Sequence, residues 1–198
     1  CYTVAEPGEH WIANSLAVMA AVRAAGGDLG AAGLALAEMD GLKGRGQRIT
    51  LAVKGGDGTG RALLIDESYN ANPASMRATL AQLGVTHAAR RIAVLGAMKE
   101  LGEHGPAYHV ALAEPIAASG ADFVVLVGAE MQALADEMGK DAASALGKGI
   151  RFAHCGTAAE ALKALGAFGL AGGDAVLVKG SNSVGLGAVV AALTQHKE

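Results

Sequence analysis

From Arg48 onward, short apolar runs without charge alternate with longer amphipathic stretches. Residues 49–53 and 62–65 flank the turn Gly55-Gly56-Asp57-Gly58-Thr59-Gly60, a spacing that predicts a β-hairpin. Further strands are expected at 92–95, 123–127, 150–153 and 175–178. Their continuous apolar character is that of strands covered on both faces. Between them the pattern predicts helices at 75–83, 107–118, 130–138, 157–165 and 184–194. Strands and helices in alternation give an α/β class: a Rossmann-like, doubly wound, mostly parallel sheet.

The first segment lacks strands. Trp11, Ile12, Leu16, Met19, Ala20 and Val22 approximate a helical stripe that Gly26-Gly27-Asp28 interrupts. Residues 29–39 predict a second helix, ended by the glycines between 41 and 46. Two helices without a sheet cannot bury both apolar faces alone. Residues 1–46 therefore read as the tail of a preceding domain, and 47–198 as the α/β domain. The missing initiator Met is consistent with a piece of a longer protein.

Composition narrows the partners. A net charge of −3 and 4% aromatic residues offer neither a basic field nor a base-stacking surface, so nucleic acid is not expected. No apolar run approaches the roughly 20 residues that span a bilayer, so no membrane insertion is expected. Two cysteines, Cys1 and Cys155, without CxxC spacing suggest neither a disulfide framework nor a zinc site, and point to a reducing cytoplasm.

In doubly wound sheets, ligands sit beyond the carboxyl ends of the strands. That rule selects five loops, at 66–73, 96–102, 128–130, 154–157 and 179–183. The first carries Asp66, Glu67, Ser68, Tyr69, Asn70 and Asn72, more polar groups than capping the next helix requires. Such groups can accept from ribose hydroxyls or an ammonium and donate to anionic oxygens. Lys179-Gly180-Ser181-Asn182-Ser183 can cradle an anion or be an ordinary Gly-Ser turn. Lys99 with Glu100 is read as an exposed pair in a structural or domain-contact loop. His109 and His154 have no ligand partners nearby in sequence and read as satisfied or solvated rings, so no metal site is assigned. His10 and Asn14 share a helix face and on their own read as solvated polar side chains, while Arg45, between Gly44 and Gly46, can clamp a phosphate or simply be solvated.

Taken in order, these motifs resemble the Mur ligase family. They are Pro7-Gly8-Glu9-His10 with Asn14-Ser15-Leu16-Ala17, then Gly44-Arg45, Asp66-Glu67-Ser68-Tyr69-Asn70-Ala71-Asn72-Pro73, the run from Val94 to Gly102, and Val178-Lys179-Gly180-Ser181. The Ser-Tyr-Asn-Ala-Asn-Pro run is the most specific. It is similar to that of members adding D-alanyl-D-alanine to UDP-N-acetylmuramoyl-tripeptide in peptidoglycan precursor synthesis. The resemblance implies three domains: a UDP-substrate domain, a central ATPase domain and a Rossmann-like C-terminal domain. This chain would hold the last helices of the second and all of the third. It also implies ATP and Mg²⁺, with the P-loop and main metal ligands on the part not present here. No G-x-x-x-x-G-K-[ST] occurs in the chain.

Carried over by resemblance, His10 and Asn14 fall at the adenine contact, Arg45 at a linker arginine that reaches phosphate, and Glu67 at the ribose carboxylate. Asn70 and Lys179 fall at the reaction centre, and Asn72 and Ser181 near the incoming dipeptide. The chain departs from the family pattern at four places. Glu67 stands where Asp is commoner, Ala97 where Asp is usual, and Asn182 and Gly187 replace a frequent Arg and Glu. The cation expected for the dipeptide carboxylate is thus absent. Two alternatives remain: another amide ligase of the superfamily, such as a folylpolyglutamate or cyanophycin synthetase, or a Rossmann-like binding module without catalysis.

Overall fold

The structure is a computed structural model that describes residues 1–5, 9–39, 43–53, 60–140 and 150–195, with the side chains of Glu9 and His10 excepted. Pro7, Gly8, Gly41 and the residues of the predicted hairpin turn from 54 to 59 lie outside the described residues. The chain divides into two compact units, 1–42 and 43–198.

The first unit consists of α1 (Glu9–Ala24) and α2 (Leu29–Glu38). Gly26, at φ +73°, takes the left-handed conformation that stops α1. Asp28 caps α2, accepting from Gly30 N–H at 2.7 Å and Ala31 N–H at 3.2 Å. The buried Ser15 is held by the Tyr2 hydroxyl at 2.9 Å and donates to Ile12 O at 2.7 Å. Ile12, Leu16 and Leu34 remain exposed.

The second unit is built on six strands: β1 (Gln47–Val53), β2 (Gly60–Glu67), β3 (Arg90–Gly96), β4 (Phe123–Val127), β5 (Arg151–Cys155) and β6 (Asp174–Lys179). Their order is β1-β2-β6-β3-β4-β5, with only β1 antiparallel to its neighbour among the described pairings. Helix α3 (Pro73–Val85) crosses from β2 to β3 past the place that β6 fills last. That leaves a topological switch at the carboxyl ends of β2, β6 and β3, where such sheets bind ligands.

Strands β3, β4 and β6 are almost wholly buried because helices cover both faces. On one face Met76, Leu80 and Leu83 of α3 pack with Ile116 of α5 (Ala113–Ala118) and Leu134 of α6 (Gln132–Lys140). On the other, Ala161 and Leu165 of α7 (Ala158–Phe168) pack with Val189 and Val190 of α8 (Gly187–Gln195).

Three expectations shift. The single helix expected over 107–118 is two, α4 (Gly105–Val110) and α5. Pro115 has no N–H to give the Ala111 carbonyl and its ring crowds that turn, so the chain re-forms one turn on. The helix expected from 184 begins at Gly187, after Gly185 at φ +77° has ended a short 3₁₀ turn over Asn182–Val184. The fourth loop starts later than expected, because His154 belongs to β5 and its Nε2 lies 2.9 Å from Gly128 O.

Candidate functional site

The strand ends at the switch bring polar and charged side chains together. Parallel pairing sets Glu67 beside Lys179, and Lys179 beside Leu95, so the last residues of β2 and β6 face the same crevice. Lys179 is the final residue of β6, and its side chain is only 3% exposed. Its ammonium donates to Glu67 Oε2 at 3.3 Å and to Asn70 O at 3.0 Å, leaving one of its three donors for another partner. Burial pushes the Lys179 pKa down, and the Glu67 carboxylate opposes that shift.

The turn after β2 is tightly organised. Asp66, 1% exposed, accepts from Ser68 N–H at 3.1 Å and Ser68 Oγ–H at 2.6 Å through Oδ1, and from Gly44 N–H at 3.1 Å through Oδ2. Asn70 folds its side-chain oxygen onto Ala71 N–H at 2.8 Å. Asn72 opens α3 with a capping box: its Oδ1 accepts from Ser75 N–H at 2.8 Å, and Ser75 Oγ accepts from Asn72 N–H at 3.1 Å. Tyr69 is exposed, and the Arg45 guanidinium lies over its ring at 4.3 Å.

The loop after β3 closes the other side. Gly180 and Gly96 touch backbone to backbone; a Cβ on Gly180 would lie 2.8 Å from Gly96 Cα. Ser181 N–H donates to Ala97 O at 3.2 Å, and Ser181 Oγ accepts from Lys99 N–H at 3.0 Å. Met98 N–H donates to Nε2 of the buried His109 at 2.9 Å, whose Nδ1–H donates to Gly105 O at 2.7 Å. That tautomer follows from its two partners, and burial lowers the ring pKa. Lys99 pairs not with Glu100, as expected, but with Glu130; the hydrogen bond from Lys99 lowers the Glu130 pKa. Glu100 is the non-glycine residue with a left-handed backbone among the described residues, at φ +63°.

A family profile described as "Mur ligase, glutamate ligase domain" matches residues 47–182. The chain belongs to the Mur ligase family. Over 190 residues it is 36% identical to an Escherichia coli relative named UDP-N-acetylmuramoyl-tripeptide–D-alanyl-D-alanine ligase, a match covering 96% of this chain and 38% of that protein. A Synechocystis relative of the same name is 42% identical over 134 residues, covering 66% of this chain and 27% of its own length. The crystal structure of MurF from Acinetobacter baumannii superposes with a TM-score of 0.75 at 28% identity, over 98% of this chain and 39% of that one. The chain thus spans about two fifths or less of the Mur ligase relatives named here.

Within the α/β unit, the crevice gathers four of the expected site residues at adjoining positions: Glu67, Asn70, Lys179 and Ser181. Arg45 reaches the same turn through Tyr69, and Asn72 stands at the head of α3. Asn14 is exposed on α1 in the other unit, and the side chain of His10 lies outside the described residues. Sequence reasoning gave Asp66 and Tyr69 no separate roles, and the structure makes them the fastening and the platform of Arg45. A carboxylate ending an otherwise apolar strand run, Leu63-Leu64-Ile65, was the available signal for Asp66.

Among the described residues no group of three or more His, Cys, Asp and Glu side chains is placed to hold a metal ion. None of the described helices is long and apolar enough to cross a membrane.

Proposed function

We propose that this chain is part of an ATP-dependent, ADP-forming amide ligase that adds D-alanyl-D-alanine to UDP-N-acetylmuramoyl-tripeptide in peptidoglycan synthesis. The observation that carries it is the strand-end group Glu67, Asn70 and Lys179, with Arg45 over Tyr69, in a chain whose relatives bear that ligase name. Residues 1–46 are then the end of a central ATPase domain, with the last of them, 43–46, packed in the α/β unit, and 47–198 the C-terminal ligase domain; the enzyme's own N-terminal and central domains are their partners. The cytoplasm, where both cysteines stay free thiols, is the proposed location.

A carboxylate does not acylate an amine at neutral pH, so the tripeptide carboxylate is first phosphorylated by ATP. The amine of the dipeptide then attacks the acyl carbon, phosphate leaves with the C–O bonding pair, and the nitrogen loses its proton. Arg45 offers a guanidinium fork for phosphate, and the Glu67 carboxylate an acceptor for ribose hydroxyls. His10 and Asn14 serve adenine. Lys179 adds a positive charge where the oxygens of the acyl phosphate carry negative charge, and its remaining donor is available to them. Asn70 and Lys179 form the part of the reaction centre on this chain. Asn72 and Ser181 bind the dipeptide. The described residues do not fit Mg²⁺, which in this reading is bound by the central domain. A closing C-terminal domain delivers the amine and keeps water from the acyl phosphate.

The test is ADP release by the full-length enzyme with UDP-N-acetylmuramoyl-tripeptide, ATP and D-alanyl-D-alanine. Release that needs all three substrates is expected. Release that needs a folylglutamate and L-glutamate in place of the tripeptide and the dipeptide would transfer the chain to a folylpolyglutamate-type ligase.

A further inference from the structure

The segment Gly44-Arg45-Gly46 is fastened to the end of β2 by a closed ring of hydrogen bonds. Asp66 Oδ2 accepts from Gly44 N–H at 3.1 Å, and Asp66 O from Gly46 N–H at 2.9 Å. Gly44 O in turn accepts from Tyr69 N–H at 3.0 Å, while Asp66 Oδ1 holds Ser68 through both its N–H and its hydroxyl. Gly44 sits at φ +75°, and a Cβ there would lie 2.9 Å from Tyr69 Cβ and 3.0 Å from Tyr69 N. Only glycine allows that approach. Between these fixed points the Arg45 guanidinium lies over the Tyr69 ring at 4.3 Å. Asp66 itself is 1% exposed, and its carboxylate accepts from Gly44 and Ser68.

We infer that Asp66 is a positioning residue whose buried carboxylate fastens the segment 44–46 to the strand-end turn, and so presents Arg45 to the nucleotide phosphates. The inference rests on the ATP-dependent reading above. It makes Arg45 a fixed part of the α/β unit rather than a side chain on a free linker. A guanidinium held this way loses little freedom on binding phosphate, which shows as nucleotide affinity rather than as turnover. Asp66→Asn tests it with little change of shape. With its oxygen toward Ser68, the new amide turns a donor at the Gly44 N–H; flipped, it leaves Ser68 N–H without an acceptor.

In the full-length enzyme Asp66→Asn is expected to raise the KM for ATP roughly tenfold, the scale of one lost hydrogen bond to a charged group, with kcat changed less than twofold. Arg45→Ala is expected to raise it as well, and the double variant to be no worse than Arg45→Ala alone, since Asp66 acts through Arg45. Two effects that multiply, or an unchanged KM in Asp66→Asn beside a raised KM in Arg45→Ala, would overturn the positioning role. Arg45→Ala with wild-type KM would instead remove Arg45 from the proposed nucleotide site, and Asp66 with it. If Asp66→Asn fails to fold, Gly44→Ala and Ser68→Ala loosen the same ring from its other members. They are expected to speed hydrogen exchange at the Gly46 amide and to raise the KM for ATP; unchanged values in both would overturn the inference.

Discussion

Lys179 and His109 are both buried cationic residue types, and their surroundings hold them in opposite ways. The Lys179 ammonium meets the Glu67 carboxylate and a carbonyl, so the pair is buried as a unit. Removing one partner leaves a charge that water barely reaches. Lys179→Met is therefore expected to cost about 3 kcal/mol of stability, and Glu67→Gln in the same chain to restore most of it. Urea melts followed by circular dichroism would show this, and a double variant as unstable as Lys179→Met would refute it. His109 has no carboxylate against it; its neutral ring accepts from Met98 N–H, and burial lowers its pKa. The folded protein therefore takes up that proton at lower pH than the unfolded chain does, near 6.5. The contribution is complete above about pH 6.5 and is lost as pH falls below it. Stability of the wild type should fall between pH 8 and pH 5.5 by more than that of His109→Gln, whose amide oxygen can still accept from Met98. Parallel pH profiles would rule the ring out as the titrating group.

At the level of elements, α3 and the strand ends share residues between folding and chemistry. Asn72 is both the cap of α3 and a proposed dipeptide contact, and the two roles separate by substitution. Asn72→Ala should lose about 1 kcal/mol of stability, whereas Asn72→Ser keeps an acceptor for Ser75 N–H and should lose little. If Asn72→Ser is stable yet has a raised KM for D-alanyl-D-alanine, the amide meets the dipeptide directly; an unchanged KM restricts Asn72 to capping. The elements themselves were largely legible: continuous apolar runs such as Val124-Val125-Leu126 mark doubly covered strands, and Gly26-Gly27-Asp28 marks the break between the first two helices. Boundaries were less so. The expected strands stopped short of Asp66, Glu67 and Lys179 because polar residues read as loop, although parallel pairing carries the ladder through them. The break before Pro115 was written in the sequence but outweighed by the helical stripe around it. Long-range partners were the least legible part. Nothing local joins Gly44 to Asp66 or Lys99 to Glu130; the sheet order brings them together.

The α/β unit presents carboxylate, lysine, arginine and amides at one strand-end crevice, yet the chain contains no phosphate-binding G-x-x-x-x-G-K-[ST] run and no described metal cluster. Phosphoryl transfer depends on charge neutralisation around the phosphates and on holding the acceptor carboxylate in line, and those parts fall outside this chain in the proposed ligase. The 198-residue chain is therefore expected to release no ADP from ATP above background, with or without D-alanyl-D-alanine. Joined to the rest of the enzyme, it should make ADP release depend on the tripeptide substrate and couple it to amide formation. In the proposed ligase Asn72 and Ser181 belong to the amine side of the reaction, so variants at them should uncouple the two halves. Ser181→Ala in the full-length enzyme loses the hydroxyl that accepts from Lys99 N–H and a proposed dipeptide contact. It is expected to raise the KM for D-alanyl-D-alanine several-fold with a much smaller change for ATP, on the scale of one neutral hydrogen bond. Steady-state kinetics with each substrate varied in turn decide it. Equal rises for both substrates would mean that the Ser181 loop shapes the whole crevice rather than the dipeptide subsite, and ADP release by the isolated chain would mean that the phosphate site lies on it after all.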